Sequence, residues 1–302
     1  MKRKPARFSR STCASRSIFF RPDFLPDPMA GDAPLAPLTL EWQFVRDGSR
    51  GRFGAPGSSP DLHEPDYRNL PAGFQKENEA YLLPADRIRR AAARECLRSL
   101  LIHSGTFTEA RWNNWHLGTY GKPAIPGAGD FSLTHAAGFA AALLAPAHAE
   151  ESSPILAGLD AESLAPASAR SERDEAEREL HDLMSVMTTE EMKYIEAASG
   201  LENARARAYA LWTRKEAVLK AGGWGLRDEI ADLNVLESPL VFLGREWHWK
   251  TLLLQPGSEM LSDAMEAARK TLSGPVPQQS MVWLTAASDR PFTLSRPASR
   301  YS

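Results

Sequence analysis

The spacing of apolar residues along the chain predicts alternating strands and helices. Apolar and aromatic residues occupy every second position of residues 39–45, which is typical of a strand. From Asp86 to residue 103 the apolar residues recur at helical spacing instead. The same reasoning predicts further strands at residues 131–134, 138–145, 155–162, 240–243, 247–254 and 281–286, and further helices at residues 171–187, 188–198, 203–222 and 259–272.

Residues rich in Gly, Pro, Ser and Asp predict the connections between these elements. Residues 46–73 are predicted to be a loop, and residues 120–123 a turn. Residues 146–154 are polar and form the best candidate for a subdomain boundary. The chain is thereby divided into an N-terminal extension (1–36), a first subdomain (37–150), a second subdomain (151–287) and a loose tail (288–302).

The helix predicted at residues 203–222 has the most informative pattern. It contains strong helix formers, and two glycines at 222–223 end it. Trp212, Glu216 and Lys220 are four residues apart and therefore lie on one face. An amphipathic helix with a Glu–Lys pair has the same pattern, so this face alone does not define a site.

Two acidic residues end the strand predicted at residues 155–162. Asp160 and Glu162 are two residues apart and therefore share a face of the strand, about 7 Å from one another. Carboxylates this close repel each other unless a cation lies between them, and oxygen ligands suit magnesium. A solvated strand end is the alternative. His135, at the end of another predicted strand, is similarly open to a structural or a functional role.

The first thirty residues differ from the rest of the chain. They contain many Arg, Lys and Ser residues, and Asp23 is the first acidic residue. This composition is that of an organelle transit peptide. A disordered basic extension, or translation starting at Met29, explains it equally well, so we exclude residues 1–36 from the fold.

Composition and charge indicate a globular protein. Of the 302 residues, 43% are hydrophobic and 25% charged, and the net charge of -2 gives no general attraction to nucleic acid or membrane. Cys13 and Cys96 cannot form a disulfide framework or a thiolate zinc site. No apolar run approaches the ~20 residues of a membrane span. We expect a cytoplasmic protein in a reducing compartment, with organelle targeting by residues 1–30 as the alternative.

Three blocks of the sequence, in this order, resemble the 4′-phosphopantetheinyl transferase family. Residues 121–123 and 131–135 read Gly-Lys-Pro and Phe-Ser-Leu-Thr-His, similar to the family's Gly-Lys-Pro and Phe-Asn-x-Ser-His. Residues 158–162 are similar to its Gly-x-Asp-x-Glu, and residues 212–220 to its Trp-x-x-Lys-Glu-Ala-x-x-Lys. The resemblance covers roughly residues 84–226 and is to the pseudo-dimeric, surfactin-synthetase-activating type.

Two residues of the block at 131–135 depart from the family pattern. Ser132 replaces the usual Asn, which removes an amide that could form a local hydrogen bond. Thr134 replaces the usual Ser and keeps a hydroxyl for a phosphate contact. Neither departure affects the carboxylates, so we expect an active enzyme.

The resemblance implies transfer of the 4′-phosphopantetheine arm of coenzyme A to a serine of an acyl or peptidyl carrier protein, releasing 3′,5′-ADP. This is the reaction of a holo-[acyl-carrier-protein] synthase. Asp160, Glu162 and Glu216 would hold Mg²⁺. Glu216, or a metal-bound water that it orients, would be the general base, and Lys220 would pair with the phosphates.

The resemblance also implies how coenzyme A is held. By family position, three residues would contact its phosphates: Lys122, Thr134 and His135. Arg89 matches best the arginine that holds the 3′-phosphate, with Arg87 or Arg90 as alternatives. Backbone within residues 122–135 would surround the adenine. An acidic carrier protein is expected to dock on the basic face of the helix at residues 86–103, which includes Arg94.

The fold implied is α+β, with two similar subdomains, each a small antiparallel sheet packed on a long helix. A pseudo-twofold axis would relate them, with coenzyme A in the cleft between them. Because one chain supplies both halves, we expect a monomer. Three other functions fit the residues less well: a non-catalytic relative that binds coenzyme A or carrier, a Mg²⁺-dependent pyrophosphate hydrolase, and a structural interaction protein.

Overall fold

The computed structural model describes residues 35–45, 67, 70–145, 147, 154–167, 169–225, 228–255, 261–274 and 280–297. The extension predicted at residues 1–36 lies outside the described residues except for its last two positions. Most of the linker predicted at residues 146–154 also lies outside them, as does the end of the tail. In the described part of the chain, no helix combines the length and apolar composition that a membrane crossing needs.

The described residues form the following elements. The strands are β1 (Ala36–Phe44), β2 (His116–Leu117), β3 (Pro123–Ala124), β4 (Asp130–Ala136), β5 (Phe139–Ala145), β6 (Ala157–Leu164), β7 (Leu240–Phe242), β8 (Arg245–Leu254), β9 (Met281–Ser288) and β10 (Phe292–Ser295). The helices are α1 (Ala72–Glu79), α2 (Pro84–His103), α3 (Glu109–Asn113), α4 (Arg170–Met184), α5 (Thr189–Glu196), α6 (Leu201–Gly222) and α7 (Leu261–Ser273), with a 3-10 turn at Asp228–Asp232.

The first sheet has the strand order β10-β1-β5-β4 and packs on α2. Strands β4 and β5 form an antiparallel hairpin, in which Phe131 is opposite Leu144. Strand β10 pairs in parallel with β1, so that Leu38 is opposite Leu294. The sheet is therefore mixed and includes a strand from the far end of the chain.

The second sheet has the order β6-β9-β8-β7, and every pair in it is antiparallel. Helix α6 lies across β6 and β9, and α7 packs on β8. One hydrophobic cluster joins the two sheets, with Leu40 and Leu143 from the first and Leu159, Leu252 and Leu284 from the second. Small sheets packed on long helices confirm the predicted α+β class. The first sheet was expected to be antiparallel and is mixed instead, because β10 pairs in parallel with β1.

Most predicted elements are confirmed. The short elements α3, β2 and β3 were not predicted, and other differences concern three longer segments. Helix α1 begins inside residues 46–73, which were predicted to be a loop. Residues 288–302, predicted to be a loose tail, contain strand β10, and the guanidinium of Arg296 beyond it stacks on Trp42. Gly222 is the last helical residue of α6, and Gly223 ends the helix in the left-handed conformation, with φ of 66°. The division at residue 150 stays a prediction, since residues Leu35–Ser302 form one compact unit.

A buried ion pair connects α5 to α6. A capping box begins α5, because the Thr188 hydroxyl accepts from the amide of Glu191, and the Glu191 carboxylate accepts from that of Thr188. The same carboxylate lies 2.8 Å from the Lys215 ammonium, and both side chains are 0% exposed. Lys215 also donates to the carbonyls of Ile230 and Leu233. Lys215 therefore holds the segment that precedes β7.

Replacing Lys215 by Met tests this pair. Burial lowers the pKa of Lys215, and Glu191 opposes that effect, so the ammonium depends on its partner. Lys215→Met leaves the Glu191 carboxylate buried without its counter-ion, which should reduce the free energy of unfolding by about 3–5 kcal/mol. Chemical denaturation measures this loss.

Lys270→Met is the matched control, because Lys270 forms an exposed pair with Glu266 at i,i+4 on α7. Its effect should stay below about 0.5 kcal/mol. Equal effects of the two substitutions would contradict a structural role for the buried pair.

Candidate active site

Strand β6 and helix α6 approach each other closely at Gly158. A Cβ at this position would overlap the carbonyl oxygen of Ala217 and lie 2.5 Å from the amide nitrogen and 2.8 Å from the Cβ of Ala221. Only glycine fits here, since real Cβ atoms do not come so near to backbone atoms. The close approach brings the face of α6 that carries Trp212, Glu216 and Lys220 onto the acidic residues of β6. These residues, Asp160 and Glu162, lie inside the strand and not at its end as predicted, because β6 continues to Leu164.

The predicted acidic and basic residues meet across this contact. The Lys220 ammonium lies 2.5 Å from Oδ1 of Asp160, whose residue is only 5% exposed. The Trp212 indole donates to Oε1 of Glu162 at 3.2 Å. Asp160 and Glu162 thus both face α6, as the strand spacing predicted. The expected Glu–Lys pair within α6 is not the main contact, because Lys220 pairs with Asp160 instead.

Two carboxylate oxygens at this contact are buried without a hydrogen-bond partner, namely Oδ2 of Asp160 and Oε1 of Glu216. A buried, unpaired carboxylate oxygen is costly and is usually compensated by a cation or a donor. No three His, Cys, Asp or Glu side chains within the described residues are close enough together to form a ready metal site. Two of the three carboxylates have partners within the chain, since Lys220 donates to Asp160 and Trp212 donates to Glu162.

The acidic residues also raise each other's proton affinity. Burial, followed by the charge of Asp160, raises the pKa of Glu216 to about 7. Burial and the same charge raise the pKa of Glu162 to about 7. Burial acts to lower the pKa of Lys220, but Asp160 and the two glutamates outweigh it and raise this pKa. The unpaired oxygens and the excess of negative charge fit a divalent cation, for which Asp160 and Glu216 would be the main ligands.

Side chains of β4 accept hydrogen bonds from backbone amides of β6. Among the described residues, β6 is an edge strand, so its amides on the side away from β9 have no neighbouring strand to bond to. Asp130 accepts from the amide of Ala157 at 2.7 Å, Ser132 from that of Leu159 at 3.0 Å, and Thr134 from that of Ala161 at 3.0 Å. The constant separation of 27 residues makes this a regular ladder of side chains between the two sheets. We call it the β4–β6 ladder.

The β4–β6 ladder changes how the predicted phosphate contacts are interpreted. The hydroxyl oxygen of Thr134 is buried and already accepts a backbone hydrogen bond, so its role toward phosphate stays a prediction. Lys122 donates to Asp130 at 2.5 Å and to the carbonyls of Ala157 and Ala221. The Lys122 ammonium therefore joins β4, β6 and the end of α6, and its contact with coenzyme A also stays a prediction.

His135 lies among basic side chains. Burial, then the charges of Arg89, Arg90 and Lys220, lower the pKa of His135 to about 4, while Asp86 opposes them. Arg89 forms an ion pair with Asp86 at 2.5 Å, one turn away on α2. The structure thus brings the predicted residues Arg89, His135 and Lys220 into one positive region, which suits an anionic group.

The predicted docking surface on α2 is wrong at Arg94. This side chain is 6% exposed, and its guanidinium lies 3.2 Å from the centroid of the Phe74 ring. Burial, followed by the charge of Arg90, lowers the pKa of Arg94 to about 9. The sequence suggested a solvated face because α1, which supplies Phe74, was not predicted.

A cleft of about 280 Å³ lies beside these residues. Its walls come from the segment leading into β3, from β4 and from the C-terminal part of α6, and include Lys122, Ser132, Glu216 and Lys220. The exposed ring of Tyr120 stands at its edge. The cleft is large enough for part of a nucleotide-containing ligand.

Comparison with known families gives a match for the segment that contains β6 and α6. Residues 157–256 match the model of the 4′-phosphopantetheinyl transferase superfamily. The match includes the acidic residues of β6 and the whole of α6. No curated protein was found to match the chain.

Three features of the site were missed by reasoning from the sequence. The need for Gly158 against α6, the β4–β6 ladder and the buried pair of Lys215 all depend on contacts between distant segments. A signal for the ladder did exist, since Asp130, Ser132 and Thr134 occupy alternate positions of one strand. Their partner strand could not be identified from that spacing.

Gly158→Ala tests the close approach. The new Cβ must push β6 from α6, so we expect a loss of about 1–3 kcal/mol in the free energy of unfolding. Chemical denaturation measures it. Gly73→Ala in α1 is the control, because nothing lies within 4 Å of a Cβ there, and it should be neutral or stabilising. An equally tolerated Gly158→Ala would contradict the close packing.

The raised pKa of Glu216 predicts how stability depends on pH. The carboxyl titrates near 4.5 in the unfolded chain and has a pKa of about 7 in the folded chain, so the folded state binds more protons between these values. Stability from this group is therefore present below pH 4.5 and lost as the pH rises through 7. Between pH 5 and 8, in EDTA, the wild type should lose roughly 1–3 kcal/mol more than Glu216→Gln.

Chemical denaturation at the two pH values measures this difference. Glu175→Gln, at an exposed position of α4, is the control and should follow the wild type at both values. If Glu216→Gln and the wild type change in parallel, Glu216 does not have the raised pKa.

Proposed function

We propose that the protein transfers the 4′-phosphopantetheine arm of coenzyme A to a serine of an acyl or peptidyl carrier protein and releases 3′,5′-ADP. The observation that carries the proposal is the contact of Asp160 with the face of α6 that holds Glu216 and Lys220. This contact lies within the residues that match the transferase superfamily and beside a cleft. The chain would thus act as a holo-[acyl-carrier-protein] synthase.

The acidic residues fit Mg²⁺. Asp160 and Glu216 would hold it through their unpaired oxygens, and Glu162 would join them. When bound, the metal would neutralise negative charge on the pyrophosphate. The release of two buried carboxylates from mutual repulsion favours this binding.

The residues of the chain suggest how the reaction would run. The serine oxygen would form a bond to the phosphorus that carries the pantetheine, and the bond from this phosphorus to the oxygen of 3′,5′-ADP would break. Glu216, or a metal-bound water that it orients, would accept the serine proton as general base. Lys220 would pair with phosphate oxygens from its position beside Asp160.

The region around His135 is proposed to hold the rest of coenzyme A. Arg89 would pair with the 3′-phosphate, and His135 would donate a hydrogen bond to phosphate in its neutral form. The low pKa of His135, about 4, means that it contributes no positive charge of its own until an anion is near. Lys122 would contribute through its hydrogen bond to the carbonyl of Ala157 in β6, and Thr134 through the hydrogen bond that it accepts from the amide of Ala161.

A labelling experiment tests the proposal. The protein is incubated with Mg²⁺, a fluorescent coenzyme A analogue and apo carrier proteins from a fatty-acid synthase, a polyketide synthase, a peptide synthetase and a carrier-containing reductase. We expect label on at least one carrier serine. EDTA should abolish it, and Glu216→Ala should slow it by at least about 10²-fold, because the proposed base is lost.

The controls separate the proposal from its alternatives. Glu175→Ala, far from the cleft on the exposed side of α4, should label at the wild-type rate. Release of 3′,5′-ADP without any carrier would indicate a hydrolase instead. Binding of coenzyme A without label on any carrier would indicate a non-catalytic relative, and either result would overturn the transferase proposal.

A further inference from the structure

The β4–β6 ladder fixes the backbone on both sides of one carboxylate. Ser132 holds the amide of Leu159, and Thr134 holds the amide of Ala161. Asp160 lies between these two residues along β6, and its side chain points toward α6. Any sliding or tilting of β6 at this point would therefore move the Asp160 carboxylate relative to Glu216 and Lys220.

The ladder is built to resist such movement. Ser132 and Thr134 are each 4% exposed, so water does not readily replace their hydroxyls. Strand β9 pairs with β6 along its other edge and places Thr285 opposite Asp160. With one edge paired to a strand and the other held by hydroxyls, the segment of β6 around Asp160 is anchored from both sides.

We infer that Ser132 and Thr134 are positioning residues that orient Asp160 for its role at the metal, an inference that rests on the proposed function. They act through the amides of Leu159 and Ala161. Any short side chain with an acceptor atom at position 132 could therefore accept the hydrogen bond from the amide of Leu159. At position 134 the hydroxyl oxygen is needed to accept the hydrogen bond from the amide of Ala161.

A direct contact of Thr134 with phosphate is the competing explanation. The structure favours positioning, because the Thr134 side chain is buried and its hydroxyl oxygen already accepts from the amide of Ala161. Ser132 lines the cleft and could also contact a ligand. Thr134 is therefore the cleaner residue to test. Thr134→Val keeps the shape of the side chain and removes the acceptor, and Thr134→Ser restores it.

The test has one structural and two kinetic readouts. Hydrogen exchange followed by NMR should show that the Ala161 amide exchanges at least about tenfold faster in Thr134→Val than in the wild type. In the labelling reaction at saturating coenzyme A, the half-saturating Mg²⁺ concentration should rise roughly tenfold. At saturating Mg²⁺, the KM for coenzyme A should stay within about twofold. Thr134→Ser should return all three values toward the wild type.

Ser163→Ala is the matched control. Ser163 also links β6 to the β4–β5 hairpin, by donating to the carbonyl of Ala137 at 2.9 Å, but it holds no amide beside Asp160. It should lower thermal stability and leave the Mg²⁺ dependence unchanged.

The outcomes separate this inference from the proposed function. Unchanged Mg²⁺ dependence in Thr134→Val with a raised KM for coenzyme A would show a direct phosphate contact and overturn positioning alone. An Ala161 amide that exchanges as slowly in Thr134→Val as in the wild type would overturn it as well. A wild-type protein that transfers nothing would overturn the proposed function, and this inference with it.

Discussion

The candidate site depends on the close approach of β6 to α6. Gly158 allows this approach, because a side chain at its position would overlap the backbone of the helix at Ala217. Two residues along the strand, Asp160 meets Lys220, and two further, Glu162 meets Trp212. A wider spacing would separate the carboxylates from the helix face, leave the Lys220 ammonium without its counter-ion and remove one wall of the cleft.

The first sheet sets the position of this contact from the other side. Lys122 donates to carbonyls of both β6 and α6, so it ties the two elements to the start of β4. The β4–β6 ladder continues the connection along the strand through hydroxyls, and the shared hydrophobic cluster supports it beneath. Residues from both halves therefore determine the geometry of the acidic cluster, although the carboxylates all come from the second half.

The sequence was sufficient for elements whose pattern is local. The strand at β1, the helix α6 with its glycine end and the capping box of α5 each follow from spacing within about twenty residues. Strand β10 could not be found in that way, since four residues show too little alternation and its partner β1 is at the other end of the chain. Arg94 was misjudged for a related reason, because the ring that covers it belongs to a short helix preceded by a long loop-like stretch. The chemical types at the site were predictable, but the partners of Lys122, Ser132 and Thr134 required the arrangement of two sheets.

The charges around the cleft explain why the site suits an anion together with a cation. On one side, burial and then the charge of Asp160 raise the pKa of Glu216 and Glu162, so each glutamate is disfavoured as a second negative charge. On the other side, burial and then the charges of Arg89, Arg90 and Lys220 lower the pKa of His135, so a further positive charge is disfavoured there. Lys220 belongs to both regions, because it pairs with Asp160 and also acts on His135. A divalent cation would relieve the repulsion among the carboxylates, and a phosphate group would relieve the repulsion among the basic side chains. With a phosphate ligand and its cation both bound, Lys220 would have a negatively charged partner on each side.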